Sequence, residues 1–464
     1  MRPLALGMTA AFLCLPMAAR AEGDAPWALQ GSWWAVGGQT NGILQANTIS
    51  GGPRDPALSF AFEPALGWST VVTLQGAVRL WKGAMLVVMP GWADGAGMPN
   101  ASGAAGYPDG DLQRVGKVGL APYVARAFLH QDIALGERSA GEKKEKEKEK
   151  EEEEEEATFE ERFAPSGPHR FAAGASDSRL ELTLGKLSTT DFFDASAIAS
   201  DPKHHFMNWA LIAQGAFDFP ADTRGYTYGV VAALSLPHFA ARAGLALLPR
   251  EANGPDLEWN VLKARSLMVE LEGRWTLRGR SGSLKLLGWA NWARMGSFRE
   301  AIDAAGAGGL PDVTATRREG RLKYGGGVLV EQELASAARA FLRAGANDGH
   351  SETFCFTEID RDVELGAEVS GTPWGRAADR AGLGLAANGL SAAHAEYLRR
   401  GGKGFQLGDG SLRAGWEWIG ELYYAFVPVP YLEITADVQG LLNPGMNRQR
   451  GPVAVFGLRL HLHV

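Results

Sequence analysis

Apolar and polar residues alternate along much of this chain with a period of two. In the last nine residues, "FGLRLHLHV", the even positions from Phe456 to Val464 are apolar, whereas Arg459, His461 and His463 occupy odd positions. This period is typical of a β-strand with two unlike faces, because successive side chains point to opposite sides of a sheet. A soluble sandwich and a membrane barrel both contain such strands, so this stretch alone leaves both open.

The same alternation recurs in "YLEITADVQ", "DVELGAEVS", "SLMVELEGRW" and "ASAARAFLRAG", and the polar face is repeatedly charged. Short turns such as "VPVP", "RGRS" and "PH" alternate with long glycine-rich connections such as "GLLNPGMNRQRGP". Tight periplasmic turns and longer external loops are typical of outer-membrane barrels, and a soluble sandwich gives no reason for them. The sequence therefore predicts an all-β fold, a transmembrane antiparallel β-barrel of about 16 strands.

The strands are expected in the following segments: 27–37, 68–81, 83–90, 120–136, 178–187, 225–236, 239–249, 263–277, 282–294, 320–333, 335–347, 354–370, 378–389, 416–428, 430–440 and 452–464. An even number places both termini on the periplasmic side. The stretch from Ala57 to Phe62 is either one more strand or part of the first external loop.

The first 21 residues have the pattern of a signal peptide. Arg2 precedes the apolar run "LALGMTAAFLCLP", which is too short to span a bilayer, and "ARA" at Ala19 to Ala21 is a small-x-small cleavage site. We expect residues 1–21 to be removed and residues 22–464 to form the barrel. Of the two cysteines, only Cys355 would remain, so no disulfide framework is expected.

Charge gives little indication of a macromolecular partner. The low-complexity run "EKKEKEKEKEEEEEE", Glu142 to Glu156, contains five lysines and ten glutamates and accounts for most of the net charge of −7. The remainder is nearly balanced, without a basic stripe for nucleic acid. We expect this run to be a solvated insert on the periplasmic side.

Aromatic residues towards strand ends share the parity of the apolar faces. Such rings are expected in the interfacial girdles of a barrel, although core packing is the alternative. The residues are Tyr226, Tyr228, Trp275, Trp292, Trp418 and Tyr424.

Catalytic and metal motifs are not found. The sequence lacks a P-loop, a G-x-S-x-G elbow, H-E-x-x-H and a paired C-x-x-C. His204 and His205 are adjacent and are interpreted as loop residues, and His461 and His463 as wall residues near the periplasmic mouth. We expect no enzyme activity, no cofactor and no metal.

Long segments of the chain resemble the carbohydrate-selective porins of the OprB family. They include "GYPDGDLQRVGK", "LTLGKLSTTDFFD", "DPKHHFMNWALIAQGAFDF", "DTRGYTYG" and "NPGMNRQRGPVAVFGLRLH", in the same order as in the family. The resemblance covers nearly the whole mature chain. It implies an outer-membrane pore for passive diffusion of mono- or oligosaccharides, with membrane lipid around it and barrel-assembly machinery acting on the C-terminal strand. A non-selective diffusion porin for small hydrophilic solutes is the alternative.

A wall that selects neutral sugars needs charged hydrogen-bonding groups and a few aromatic rings. The inward parity predicts these as pore-lining and candidate sugar-contacting residues: Arg126, Glu270, Glu272, Arg274, Trp289, Asn291, Arg339, Phe341, Arg343, Glu364, Glu368, Arg380, Glu421, Tyr423, Glu433 and Asp437.

Arg339, Phe341 and Arg343 share one face of a strand and form a possible sugar ladder, with the phenyl ring between two guanidinium groups. In the alternative arrangement, the arginines pair with lumenal carboxylates and Phe341 packs beneath a loop.

Overall fold

The computed structural model describes residues 29–30, 33–48, 58–60, 64–98, 102–115, 121–135, 178–355 and 358–464. The predicted signal peptide, residues 1–21, and the Lys/Glu run, residues 142–156, lie outside these ranges.

One antiparallel sheet contains all the strands of the described residues. They are β1 (Leu29–Gln30), β2 (Trp34–Asn47), β3 (Leu66–Trp81), β4 (Ala84–Ala96), β5 (Ala121–Ala134), β6 (Arg179–Leu187), β7 (Thr227–Leu236), β8 (Phe239–Leu247), β9 (Arg265–Leu277), β10 (Arg280–Met295), β11 (Arg318–Ala335), β12 (Ala338–Asn347), β13 (Arg361–Ser370), β14 (Arg380–Gly389), β15 (Glu417–Val429), β16 (Leu432–Leu442) and β17 (Val453–His463).

The sheet closes on itself. From β2 to β17 each strand pairs with the next, and β17 pairs with β2 over a register that runs from Val455 opposite Asn47 to His463 opposite Gln39. The two-residue β1 pairs with β2 at the ring's edge. The wall therefore contains sixteen strands, β2 to β17, and the predicted antiparallel barrel is confirmed.

The two faces of the wall have opposite character. In β13, Leu365 is 49 % exposed whereas Glu364 beside it is 0 % exposed. In β17, Leu458 and Leu460 are exposed on either side of the buried Arg459. Exposed leucines on the outside and buried charges on the inside are the distribution that a barrel in lipid requires.

Five of the seven connections at one end of the ring are two-residue turns, and the other two are 135–178 and 371–379. The two-residue turns lie at 82–83, 237–238, 278–279, 336–337 and 430–431, at the same end as the start of β2 and the end of β17. This is the periplasmic end. We number the eight connections at the external end loops 1 to 8 in chain order: 48–65, 97–120, 188–226, 248–264, 296–317, 348–360, 390–416 and 443–452.

Short α-helices occur in three loops of the described residues. They are α1 (Trp209–Ile212) in loop 3, α2 (Phe298–Ala305) in loop 5 and α3 (Ala392–Arg399) in loop 7. Serines begin α2 and α3, where the Ser297 and Ser391 hydroxyls accept backbone N–H bonds from the first turn. None of the helices in the described ranges is long and apolar enough to cross a membrane.

Three predicted strands had wrong boundaries. The strand predicted for 83–90 continues to Ala96. The first barrel strand is Trp34–Asn47 and not 27–37, because glycines and a threonine replace the expected large apolar residues on its outer face. The strand predicted for 354–370 begins at Arg361. Glu358 and Asp360 instead accept backbone N–H bonds from loop 7, at Leu407 and Ser391.

Five of the six predicted girdle aromatics lie on the outer face, partly or largely exposed: Tyr228, Trp275, Trp292, Trp418 and Tyr424. Tyr226 was predicted wrongly. It is buried, and its ring lies 5.9 Å from that of Tyr123 and 4.7 Å from the Arg114 guanidinium carbon. Tyr226 precedes β7, so the alternation of that strand does not determine its direction.

Candidate functional site

Loop 3, residues 188–226, lies inside the barrel against the inward faces of many strands. Asp191 pairs with Arg126 of β5 at 2.6 Å, and the Asp194 N–H donates to Glu270 of β9 at 2.7 Å. On the opposite side of the wall, the His205 carbonyl accepts from Arg459 of β17 at 2.7 Å. The loop therefore crosses the lumen and is anchored on both sides.

Wall carboxylates accept hydrogen bonds from backbone groups of loop 3. Glu421 accepts from the Met207 and Asn208 N–H groups at 2.6 and 2.9 Å. Asp362 accepts from the Ala216 N–H at 2.7 Å. A loop without a strand partner needs acceptors for its buried N–H groups, and the inward carboxylates of the wall supply them.

Arg343 of β12 is a central anchor of loop 3. Its guanidinium lies 3.0 Å from Asp194 and 2.8 Å from Glu364, and it donates to the Leu211 carbonyl at 3.1 Å. Burial raises the pKa of the Asp194 carboxyl, and the Arg343 charge opposes this rise.

Loop 2, residues 97–120, also enters the lumen. Asp109 accepts from the Ser69 hydroxyl at 2.7 Å, and Asp111 accepts from the Asn41 amide at 2.9 Å. Burial raises the pKa of Asp109 to about 7, and the nearby Asp111 charge adds to this rise.

All sixteen predicted pore-lining residues lie on the inward side of the wall, but most are covered. Eleven are almost completely buried: Arg126, Glu270, Trp289, Asn291, Phe341, Arg343, Glu364, Glu421, Tyr423, Glu433 and Asp437. Four are partly exposed: Arg274, Arg339, Glu368 and Arg380. The last, Glu272, is 6 % exposed and lines a cavity. Which of the sixteen contact a sugar remains a prediction.

The three residues of the possible ladder have the contacts of the alternative arrangement. Phe341 is 3 % exposed, and its ring lies 6.0 Å from that of Phe206 in loop 3. Arg343 is paired with buried carboxylates, and Arg339 pairs with Glu333 at 2.9 Å near the periplasmic turn. These contacts leave no open ring face between two free guanidinium groups.

A cavity of about 160 Å³ lies beside loop 3 in the periplasmic half of the barrel. It is large enough for several water molecules. Inward side chains of β5 to β9 form its wall, and loop 3 contributes Asp191 and Phe192. Glu272 and Arg274 are the two predicted site residues that line it.

Cations and carboxylates are balanced and paired around this cavity. Arg242 bridges Glu270 and Glu272 at 2.8 and 2.6 Å, and Arg274 contacts Glu272 at 2.8 Å. Three arginines and three acidic residues line the cavity, so it has no strong preference for either sign of charge. They are Arg179, Arg242, Arg274, Glu181, Asp191 and Glu272.

Several lining residues were missed in the sequence. Arg242 and Glu181 could have been found, because both lie on the inward parity of their strands. Asp191 and Phe192 follow the end of β6 and have no periodic signal. Their place is set by contacts with distant strands, such as the pair between Asp191 and Arg126.

One group at the edge of the cavity has the composition of a metal site. Ligand atoms of His130, Asp132 and Glu181 lie within 4.8 Å of one another. However, His130 contacts the Thr183 hydroxyl at 2.9 Å, and the Arg179 guanidinium lies 3.4 Å from Glu181. A guanidinium so close to one of the carboxylates opposes the binding of a second cation.

One family model and several solved structures are similar to this chain. The model of the "Carbohydrate-selective porin, OprB family" matches residues 154–463. The fold is similar to the high-pH structure of Pseudomonas putida OprB, with a TM-score of 0.67 and 14 % identity, covering 93 % of this chain and 94 % of that one. The outer membrane channel DcaP of Acinetobacter baumannii matches with a TM-score of 0.48 and 9 % identity, covering 93 % and 97 %. No match was found among curated proteins.

Proposed function

Because the chain belongs to the OprB family of carbohydrate-selective porins, we propose that the sugars it conducts pass beside loop 3 and through the cavity between β5 and β9. The protein is an outer-membrane channel for passive diffusion of carbohydrates. Its lumen is narrowed by loop 3, so the route of the solute depends on where loop and wall leave space.

The balanced charge of the cavity supports this route. A neutral sugar offers hydroxyl groups that both donate and accept, and paired carboxylates and guanidiniums can serve both roles. Phe192 adds an aromatic ring against which an apolar sugar face can pack. Glu272 and Arg274 are the predicted site residues that we propose contact the sugar, together with Arg242.

The biogenesis of the barrel is part of the proposal. Residues 1–21 would direct export and be removed, and the C-terminal strand would engage the barrel-assembly machinery. In support, β17 completes the ring, and the Val464 carbonyl accepts from the Gly38 N–H at 2.8 Å. Lipid would then surround the exposed apolar face.

Liposome swelling tests the proposed route. We expect sugars to enter faster than amino acids of equal size, and an Arg242→Met, Arg274→Met double variant to lose this difference while conducting small ions at least as well. Arg339→Met, which removes an inward arginine outside the cavity, is the matched control. Equal rates for sugars and amino acids in the wild type would favour the non-selective porin. A preserved difference in the double variant would contradict the route.

A further inference from the structure

The lipid-facing columns of two adjacent strands, β9 and β10, end in cations at the external rim. In β9 the exposed residues Leu267, Val269 and Leu271 share a parity with Arg265, the first residue of the strand. Lys263, two residues before Arg265 in a turn of loop 4, is also exposed. The apolar column thus changes to a positively charged one where the barrel leaves the hydrocarbon.

The neighbouring strand β10 repeats this change. In β10, the outward column that contains Leu286 and Trp292 ends at the exposed Arg294. The ladder places Trp292 directly opposite Arg265 of β9. Because adjacent strands lie roughly 4.8 Å apart, the cations at their ends can reach a single headgroup.

Three residues, Lys263, Arg265 and Arg294, therefore form one cluster, which we call the rim cluster. Arg318 of β11 is not a member, because a register shift places it opposite the buried Met295 and it is compensated by Glu300 at 2.9 Å. The side chains of Lys263 and Arg294 have no hydrogen-bond or ion-pair partner among the described residues. A cluster with uncompensated positive charge at a lipid boundary favours an anionic ligand.

Apolar groups lie beside the rim cluster. The Arg265 guanidinium carbon is 4.9 Å from the centre of the Trp292 ring, and Arg265 donates to the Leu262 carbonyl at 2.9 Å. In the same turn of loop 4, Leu262 is 80 % exposed and Trp259 is 63 % exposed. A ligand that suits this surface needs both phosphate and acyl chains.

We propose that the rim cluster binds a phosphate-bearing lipid of the outer leaflet, with its phosphates on Arg294 and Lys263 and its chains along Trp259, Leu262 and the β9 column. Arginine forms forked hydrogen bonds with phosphate, and the apolar columns below the cluster continue directly into the acyl region. The site lies outside the barrel, so it is independent of the sugar route.

Native mass spectrometry of the full chain in detergent tests the site, with bisphosphorylated lipid A as the probe. We compare the wild type with a Lys263→Gln, Arg294→Gln variant, which removes two side chains that hold no other part of the fold. The control is Arg361→Gln with Arg280→Gln, which removes two outward arginines away from the cluster. Heat-modifiable migration reports that each barrel is folded.

We expect the cluster variant to bind lipid A at least roughly tenfold more weakly than the wild type, and the control to bind it normally. Dephosphorylated lipid A should bind to the wild type and to the cluster variant equally, and as weakly as lipid A binds to the cluster variant. Equal binding of phosphorylated and dephosphorylated lipid would overturn the proposal, as would equal loss in the control. Binding of inorganic phosphate alone at the same strength would overturn the lipid assignment. Loss of oligomers without loss of lipid would instead assign the surface to a second copy of the chain.

Discussion

Arg343 illustrates how much of the lumen depends on single side chains. It is completely buried between Asp194 of loop 3 and Glu364 of the wall. Arg343→Ala would leave two buried carboxylates without their cation, at a cost of about 3–5 kcal/mol. We expect a lower temperature of unfolding and a larger ion conductance, because loop 3 loses an anchor. Thermal melts and planar-bilayer recordings measure the two effects.

Arg339 is the matched control for this prediction. It lies on the same face of β12 but is partly exposed, and its partner Glu333 is also at the surface. Arg339→Ala should change the free energy of unfolding by less than about 1 kcal/mol. Equal effects of the two substitutions would show that loop 3 is not held by the buried pair.

Asp109 makes the attachment of loop 2 dependent on pH. Its pKa is raised from 3.8 to about 7 by burial, so the folded state holds this proton more tightly than the unfolded state. The stability that it contributes is complete below the unfolded pKa and is lost as pH rises through about 7. We therefore expect a lower unfolding temperature at pH 8 than at pH 5, and Asp109→Asn should reduce this difference.

Asp312→Asn is the control for the pH dependence of the Asp109→Asn variant. Asp312 lies in loop 5, and hydrogen bonds from Thr314 lower its pKa. The stability from this residue is present above its ordinary pKa and is lost only in more acidic solution. The pH 5 to pH 8 difference of this variant should therefore match that of the wild type. If the Asp109→Asn variant keeps the wild-type difference in unfolding temperature between pH 5 and pH 8, the pH dependence arises from other groups.

The alternation of the sequence predicted which wall residues face inward, but not which remain accessible. Glu364 and Arg274 have the same signal in the sequence, a charge between apolar neighbours. In the structure loop 3 covers Glu364, whereas Arg274 lines the cavity. The difference arises from contacts between residues more than a hundred positions apart, such as that between Asp194 and Arg343, and no local pattern encodes them.

Among the elements, loop 3 determines the free cross-section of the barrel. Residues 203–208 hold its deepest part through Glu368, which contacts His205 at 2.6 Å, and through Glu421. Replacing this segment by two glycines should increase ion conductance on the order of twofold and reduce discrimination among sugars, because the narrow passage is lost. Single-channel recording and liposome swelling measure these changes.

A deletion in loop 5 serves as the control. Residues 306–309 are exposed at the external end and lie after α2. Their removal should leave conductance and sugar discrimination unchanged. If the loop 5 deletion and the loop 3 replacement widen the pore equally, the constriction is formed by the loops together and not by loop 3.

The strands were predictable because apolar and polar residues alternate along each of them with a period of two. The loops have no such pattern and were not predictable. Thirteen of the sixteen barrel strands begin and end within three residues of the predicted segments, and β4 and β13 differ at one end. β2 is displaced at both ends. Its outer face includes Gly38, Thr40 and Gly42, which weaken the apolar signal, although Gln39 and Asn41 still point inward. The path of loop 3 had no such signal.

At the scale of the whole molecule, stability comes from a closed ring of paired strands. The described part of the chain has no disulfide, and its cysteine, Cys355, is buried and free. Every strand of the ring has two neighbours, so no open edge is left to pair with another chain. The connections between strands can therefore vary in length, provided that the register of the ladder is kept.

The Lys/Glu run offers a test of this tolerance. It lies in the connection between β5 and β6, whose periplasmic ends are adjacent because Ala134 pairs with Arg179. Deleting Glu142 to Glu156 removes only charged side chains, which have no apolar surface to bury. We expect the shortened chain to reach the outer membrane as a heat-modifiable barrel with unchanged sugar uptake, measured by fractionation, gel migration and liposome swelling. A chain of the same length in which the run is replaced by glycine and serine separates loss of charge from loss of length. Failure of the deletion variant alone would mean that the connection needs its length to close the ring, and failure of both variants would show that the charges themselves take part in folding.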